Sequence, residues 1–203
     1  GLLGKDYSID ASGMVLQYVL DLQKYSDIPV NKISYINKDL FVELNLATQK
    51  NLELIENPRE RGSHGTLLWV LDQCKTSMGS RKLKEFIKNP LINKEEILHR
   101  QSHVEYFMDE IIIREEIKDK LKEVYDIERL IGKIILGTEN GRDLIALKKS
   151  LSSSLGIGNI LGEKIVKIDR NLLCEIYEKI EKTIVEEPPF SVREGGMIKE
   201  GID

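Results

Sequence analysis

The stretch DIERLIGKIILGTENGRDLIALKKSLSSSL, residues 126–155, decides the fold. Asp126 stands just before a run in which Ile127, Leu130, Ile131, Ile134 and Ile135 recur at the three-and-four spacing of one helix face. An aspartate there accepts the free backbone N–H groups of a first helical turn. GTENG breaks the run, and Leu144, Leu147, Leu151 and Leu155 repeat the pattern over 142–155. Two amphipathic helices joined by a short polar link bury their stripes only against other helices. The pattern predicts helix packed on helix.

Working outward, the same signature continues on both sides. Residues 112–124 carry Ile117, Leu121 and Val124, and residues 94–109 place Ile97, Gln101, Val104 and Met108 on one stripe. Asn93 precedes that second run with Glu96 at the capping-box position. TSMGSRKLKEFIKNPL, residues 76–91, reads as a helix over 77–88, capped by Thr76 or Ser77 and stopped before Pro90. Its Met78, Leu83, Phe86 and Ile87 are expected to face inward. Shorter helices are expected at 66–74 and after Asn45, with a first helix over 9–24. Downstream, GIGNILGE reads as a loop, and residues 170–185 carry Leu173, Ile176, Tyr177, Ile180 and Ile184 before Pro188 and Pro189. Ile33, Tyr35, Phe41 and Val42 around Asn37-Lys38-Asp39 suggest one or two short strands. The fold class is therefore mainly α, a multi-helix core with a small β element near residues 33–44. No fixed period marks a solenoid.

The bulk numbers agree. The 203 residues are 41% hydrophobic, 32% charged and only 6% aromatic, with five prolines. That is a foldable, helix-favouring chain with room for one large or two small domains. A net charge of −4 excludes nucleic-acid binding through bulk charge but leaves room for a local basic face. No apolar run approaches the roughly 18 residues of a membrane span. The N-terminal residues lack a basic region followed by an apolar one, so a secretory signal is not expected there. Cys74 and Cys174, each among apolar neighbours, are expected as buried thiols of a reducing compartment, which points to the cytoplasm.

Candidate chemistry is sparse. His99 and His103 stand one helical turn apart, but Arg100 occupies the place of the glutamate in a zinc-protease helix, and no third ligand is near. GIGNILG has Leu161 where a dinucleotide fingerprint needs glycine. No phosphate-loop or nucleophile-elbow pattern is present. The pairs Glu95-Glu96, Glu115-Glu116 and Glu186-Glu187 read as solvated charge. No catalytic residue, cofactor or metal site is therefore expected in this chain. Arg81, Lys84 and Lys88 share one face of the 77–88 helix and are the candidate DNA-contacting residues. Asp126 and Arg129 are the candidate structural residues, Asp126 as a cap and Arg129 as the partner of a carboxylate between helices.

Five elements in order carry a family resemblance: ELNLATQKNLELIEN (43–57), GTLLWVLDQCKTSMGSRKLKEFIKNPL (65–91), RQSHVEYF (100–107), VYDIERLIGKI (124–134) and IVEEPPFSVREGGMIKEGID (184–203). Together they resemble the central region of the bacterial MutS family of DNA mismatch-recognition ATPases. Phe86, Lys133 and Ile202 depart from the Trp, Arg and Tyr usual there. The resemblance implies that residues 1–30 are the C-terminal end of a connector domain. Residues 31–203 would be the first part of a helical core or lever domain, truncated before the DNA clamp. It implies a structural lever linking an ATPase domain to that clamp, without a catalytic site of its own. ATP and magnesium would bind elsewhere in the parent. The partners it implies are mismatched duplex DNA, a second copy of the parent and a MutL-type protein, with no membrane. The rival reading is a free-standing helical adaptor that binds protein or nucleic acid through helix 77–88.

Overall fold

The computed structural model describes residues 4–22, 30, 32–34, 38–59, 62–163 and 165–202. The chain divides into two compact units, residues 1–41 and 42–203. The first contains helix α1, Asp6–Leu22, which has no buried residue. Tyr7, Met14, Val15 and Tyr18 on α1 are exposed. The small β element expected near residues 33–44 takes another form. Lys38–Leu40 is a 3-10 turn and Phe41 is a single bridge residue, with no ladder among the described residues. The turn takes up the middle of the expected hairpin, and Tyr35, Ile36 and Asn37 lie outside the described residues.

The second unit holds α2 (Leu46–Asn51), α3 (Leu67–Leu71), α4 (Ser77–Lys88), α5 (Lys94–Asp109), α6 (Ile111–Lys122), α7 (Ile127–Ile135), α8 (Gly141–Leu161) and α9 (Arg170–Thr183). Short polar side chains start all of these helices except α6 by accepting free N–H groups of the first turn. Thr76 Oγ1 accepts from Gly79 N at 3.0 Å, and Asn93 Oδ1 from Glu96 N at 3.0 Å. Asn140 and Asp143 cap reciprocally, at 2.9 and 3.1 Å. On α4 the expected inward residues are only partly covered, and Phe86 is exposed.

The core lies where α7, α8 and α9 meet. Leu130, Leu147, Leu151, Ile180 and Ile184 form its buried cluster, with Ile127, Leu144, Leu173 and Ile176 packed around it. Burial of each such side chain stabilises the fold by about 1.5–3 kcal/mol. Helix α6 joins α8 through small side chains. Ser150 is fully buried, its Oγ donating to the Ala146 carbonyl at 2.8 Å and accepting from Tyr125 N at 2.9 Å. Ser153 Oγ donates to Glu123 at 2.9 Å.

Helix α8 corrects the reading of GIGNILGE as a loop. The helix runs through Gly156 and Gly158 to Leu161 and ends at Gly162, whose φ is +67°. Glycine costs about 1 kcal/mol inside a helix, and at Gly158 a neighbouring side chain comes close. A Cβ on Gly158 would lie 2.7 Å from Ile168 Cδ1.

After α9 the chain folds back. Ile184 and Ile198 form an antiparallel bridge, Val185 N donates to Met197 O at 3.0 Å, and Lys199 N donates to Thr183 O at 2.8 Å. Pro188 and Met197 lie against Gly141, the first residue of α8. The cysteines differ from expectation: Cys74 and Cys174 are both free and exposed. Cys74 falls in the link between α3 and α4, and Cys174 on the outer side of α9. Among the described residues no helix is long and apolar enough to cross a membrane.

Candidate functional site

Two polar clusters gather the residues singled out in the sequence. The first joins α4 to α7. Asp126, at the start of α7, accepts from Arg129 N at 3.2 Å and so caps its helix. Its carboxylate also receives Arg81 Nη1 at 2.7 Å, Arg81 Nη2 at 2.8 Å and Ser77 Oγ at 2.9 Å. Arg81 Nη2 further bonds Glu128. Asp126 is 21% exposed and Glu128 72% exposed, so Asp126 is the better-desolvated partner and the one that fixes the guanidinium. The Arg81 hydrogen bonds hold the Asp126 carboxyl well below the usual carboxylate range, and Asp126 in turn pushes the Arg81 guanidinium up. One aspartate thus serves as helix cap and as fork partner for an arginine of another helix.

Arg129 gives its backbone N–H to this cap, but its side chain makes no ion pair among the described residues. The carboxylate between α7 and α8 is Asp143, bonded by Lys133 at 2.7 Å. Arg129 acts on it only through longer-range charge, which adds to the Lys133 bond in lowering the Asp143 pKa against burial.

The second cluster lies between α2 and α4. Lys84 and Lys88 line a hollow of about 160 Å³ with Lys50, Gln49, Leu46, Ile55 and Glu56. Arg81, grouped with Lys84 and Lys88 by spacing, is engaged instead in the α4–α7 joint. Lys50 had no sequence signal linking it to them, because only the packing of α2 beside α4 brings it there. The Arg81–Asp126 pair was equally hidden, spanning 45 positions.

His99 and His103 sit edge-on with ring centroids 4.5 Å apart. Among the described residues no group of three or more His, Cys, Asp and Glu side chains gathers that could hold a metal ion. Arg100 lies over the Phe86 ring, 3.8 Å from its centroid, tying α5 to α4. Lys148 of α8 pairs with Glu181 of α9, and Lys199 Nζ donates to the Glu181 carbonyl at 2.6 Å.

The model of MutS domain III matches residues 47–200. The chain belongs to the MutS family. It is 49% identical over 205 residues, 98% of its length, to the DNA mismatch repair protein MutS of Fusobacterium nucleatum subsp. nucleatum. It is 41% identical to that of Acetivibrio thermocellus over 98% of its length, and 40% identical to that of Halalkalibacterium halodurans over 94%. The chain spans 23% of the length of each of these MutS relatives. The MutS domain III match contains all of α3 to α9, the α4–α7 joint and the three lysines of the hollow.

Proposed function

We propose that this chain is a rigid lever within a longer MutS-type mismatch-repair ATPase, carrying movement between a nucleotide-binding domain and a DNA clamp. Residues 1–30 are then the end of a connector domain, and residues 31–203 the first part of the helical core. The observation that carries this reading is α8. Its 21 residues are flanked by α6, α7 and α9 and end in close glycine contacts. A helix held on several sides does not bend, so movement passes through it as a shift of whole helices against one another, which is what transmission between distant sites requires. The ionic joint at Asp126 gives α4 the same kind of fixed register against α7.

On this reading chemistry takes place outside the chain. ATP and magnesium bind the parent's ATPase domain, and mismatched duplex DNA is gripped by the assembled protein. A second copy of the parent and a MutL-type protein are its partners, in the cytoplasm. The lever has two discrete arrangements, biased by nucleotide at one end and DNA at the other. A disulfide crosslink locking α9 to α8 in the whole protein tests it. ATP should then no longer trigger release of mismatched DNA, while ATP and DNA each still bind. Unchanged coupling in the crosslinked protein refutes the lever.

A further inference from the structure

We propose that the hollow between α2 and α4 grips a phosphate of a DNA backbone through the ammonium groups of Lys50, Lys84 and Lys88. The proposal rests on the reading that this chain works inside a DNA-handling protein, but not on the motion of the lever.

Three observations carry it. First, three lysines from two separate helices line one concavity of about 160 Å³. Lys84 and Lys88 are one turn apart on α4, where like charges repel and weaken an isolated helix. Lys50 approaches them from α2, so the fold adds a third like charge. Second, these cations are left over when the other charges of α4 are paired. Arg81 is bound to Asp126 and Glu128, and Lys82 bonds Glu85, the one carboxylate on α4, at 2.9 Å. Among the described residues Lys50, Lys84 and Lys88 have no ion-pair partner, and Glu56 is the one carboxylate on the wall. Third, the donors are all lysines. The planar fork of arginine takes carboxylates and phosphates alike, whereas lysine acts on a phosphate as a point charge, and the arginine of this face is turned away into the joint. Flexible point charges without a fork fit a sequence-independent contact to phosphodiesters.

The test measures fluorescence anisotropy of labelled duplex DNA, matched and mismatched, across a salt series with the 203-residue chain. The variant K50Q/K84Q/K88Q is compared with K94Q/K167Q/K179Q, which removes the same charge elsewhere, and with K50R/K84R/K88R. Thermal melts establish that all are folded. The expected result is equal affinity for both duplexes. The hollow variant should lower the slope of log affinity against log salt by about 1 and weaken binding by on the order of tenfold or more at low salt. The control should change the slope far less, and the arginine variant should retain binding. No DNA binding by the wild-type chain, or equal losses in the hollow and control variants, overturns the proposal. A glutamate-rich peptide that binds the hollow more tightly than duplex of equal charge would make the partner a protein and also overturn it. These readouts are independent of nucleotide coupling, so failure here leaves the crosslink test of the lever untouched, and the reverse holds.

Discussion

Gly132, Gly158 and Gly141 lie inside or at the start of helices, and one substitution to alanine should have three different effects. In a helix interior alanine is favoured over glycine by up to about 1 kcal/mol. Gly132 in α7 has no heavy atom within 4 Å of a built Cβ, so Gly132→Ala should realise most of that gain. At Gly141 the new Cβ would lie 2.5 Å from Pro188 Cβ and 2.9 Å from Met197 Cγ. Carbon atoms rest at about 3.5–4.0 Å, so roughly 1 Å of movement is needed. The proline ring has no rotamer into which to retreat. The segment after α9 must shift instead, with its Val185–Met197 and Arg142–Pro188 hydrogen bonds. Overpacking of this kind costs about 1–3 kcal/mol, so Gly141→Ala should lose a net of about 1–2 kcal/mol. At Gly158 the close atom is the terminal Cδ1 of Ile168 at 2.7 Å, with its next atoms at 3.6 and 3.9 Å. That methyl can swing away, so Gly158→Ala should be near neutral. For a chain of this size about 1 kcal/mol moves Tm by about 2–4 °C. Thermal and urea unfolding followed by helical circular dichroism should order the variants Gly132→Ala, wild type with Gly158→Ala, then Gly141→Ala. A Gly141→Ala protein as stable as Gly132→Ala would refute the packing of Pro188 and Met197 on α8.

Asp126→Ala removes the cap of α7 and should cost about 1 kcal/mol in urea unfolding; an unchanged midpoint counts against the cap. Asp126→Asn keeps a capping side chain but loses the charge, so it isolates the Arg81 pair. The folded pKa of Asp126 is depressed. The contribution of the pair is therefore present above the unfolded aspartate value near 3.9 and lost as pH falls through the folded value. Wild type should melt above Asp126→Asn at neutral pH, and the gap should narrow below about pH 4. A gap independent of pH would mean that the pair contributes nothing. Ser150→Ala strips the acceptor from Tyr125 N–H at a fully buried site and should cost about 1–3 kcal/mol, read as a lower urea midpoint. A midpoint matching wild type would place water at that N–H.

Most helices were legible because their signals are local. Thr76, Asn93 and Asp126 each cap a backbone N–H three residues on, so both partners lie within one window of sequence. The stripe Ile127, Leu130, Ile134 needs only helical periodicity. The loop reading of GIGNILGE failed because glycine propensity was weighed without Ile168, whose side chain occupies the space a Cβ would need. The cysteines were read as buried from apolar neighbours in sequence, although neighbours along a helix point to different sides. Within 33–44 the alternation of apolar residues resembled strands, but the backbone of Lys38–Leu40 closed into a 3-10 turn.

By itself, then, the chain determined its helices, their starting caps, the apolar stripes that form the core and, through five ordered motifs, its MutS family. These depend on neighbours a few residues apart, where backbone hydrogen bonding and side-chain period leave little freedom. Tertiary structure alone decided which charges meet between helices. Arg81 reaches Asp126 across 45 positions, and Lys50 joins Lys84 and Lys88 only when α2 lies beside α4. Coulomb forces depend on distance in space, and the packing of apolar stripes sets that distance without regard to the polar residues it brings together.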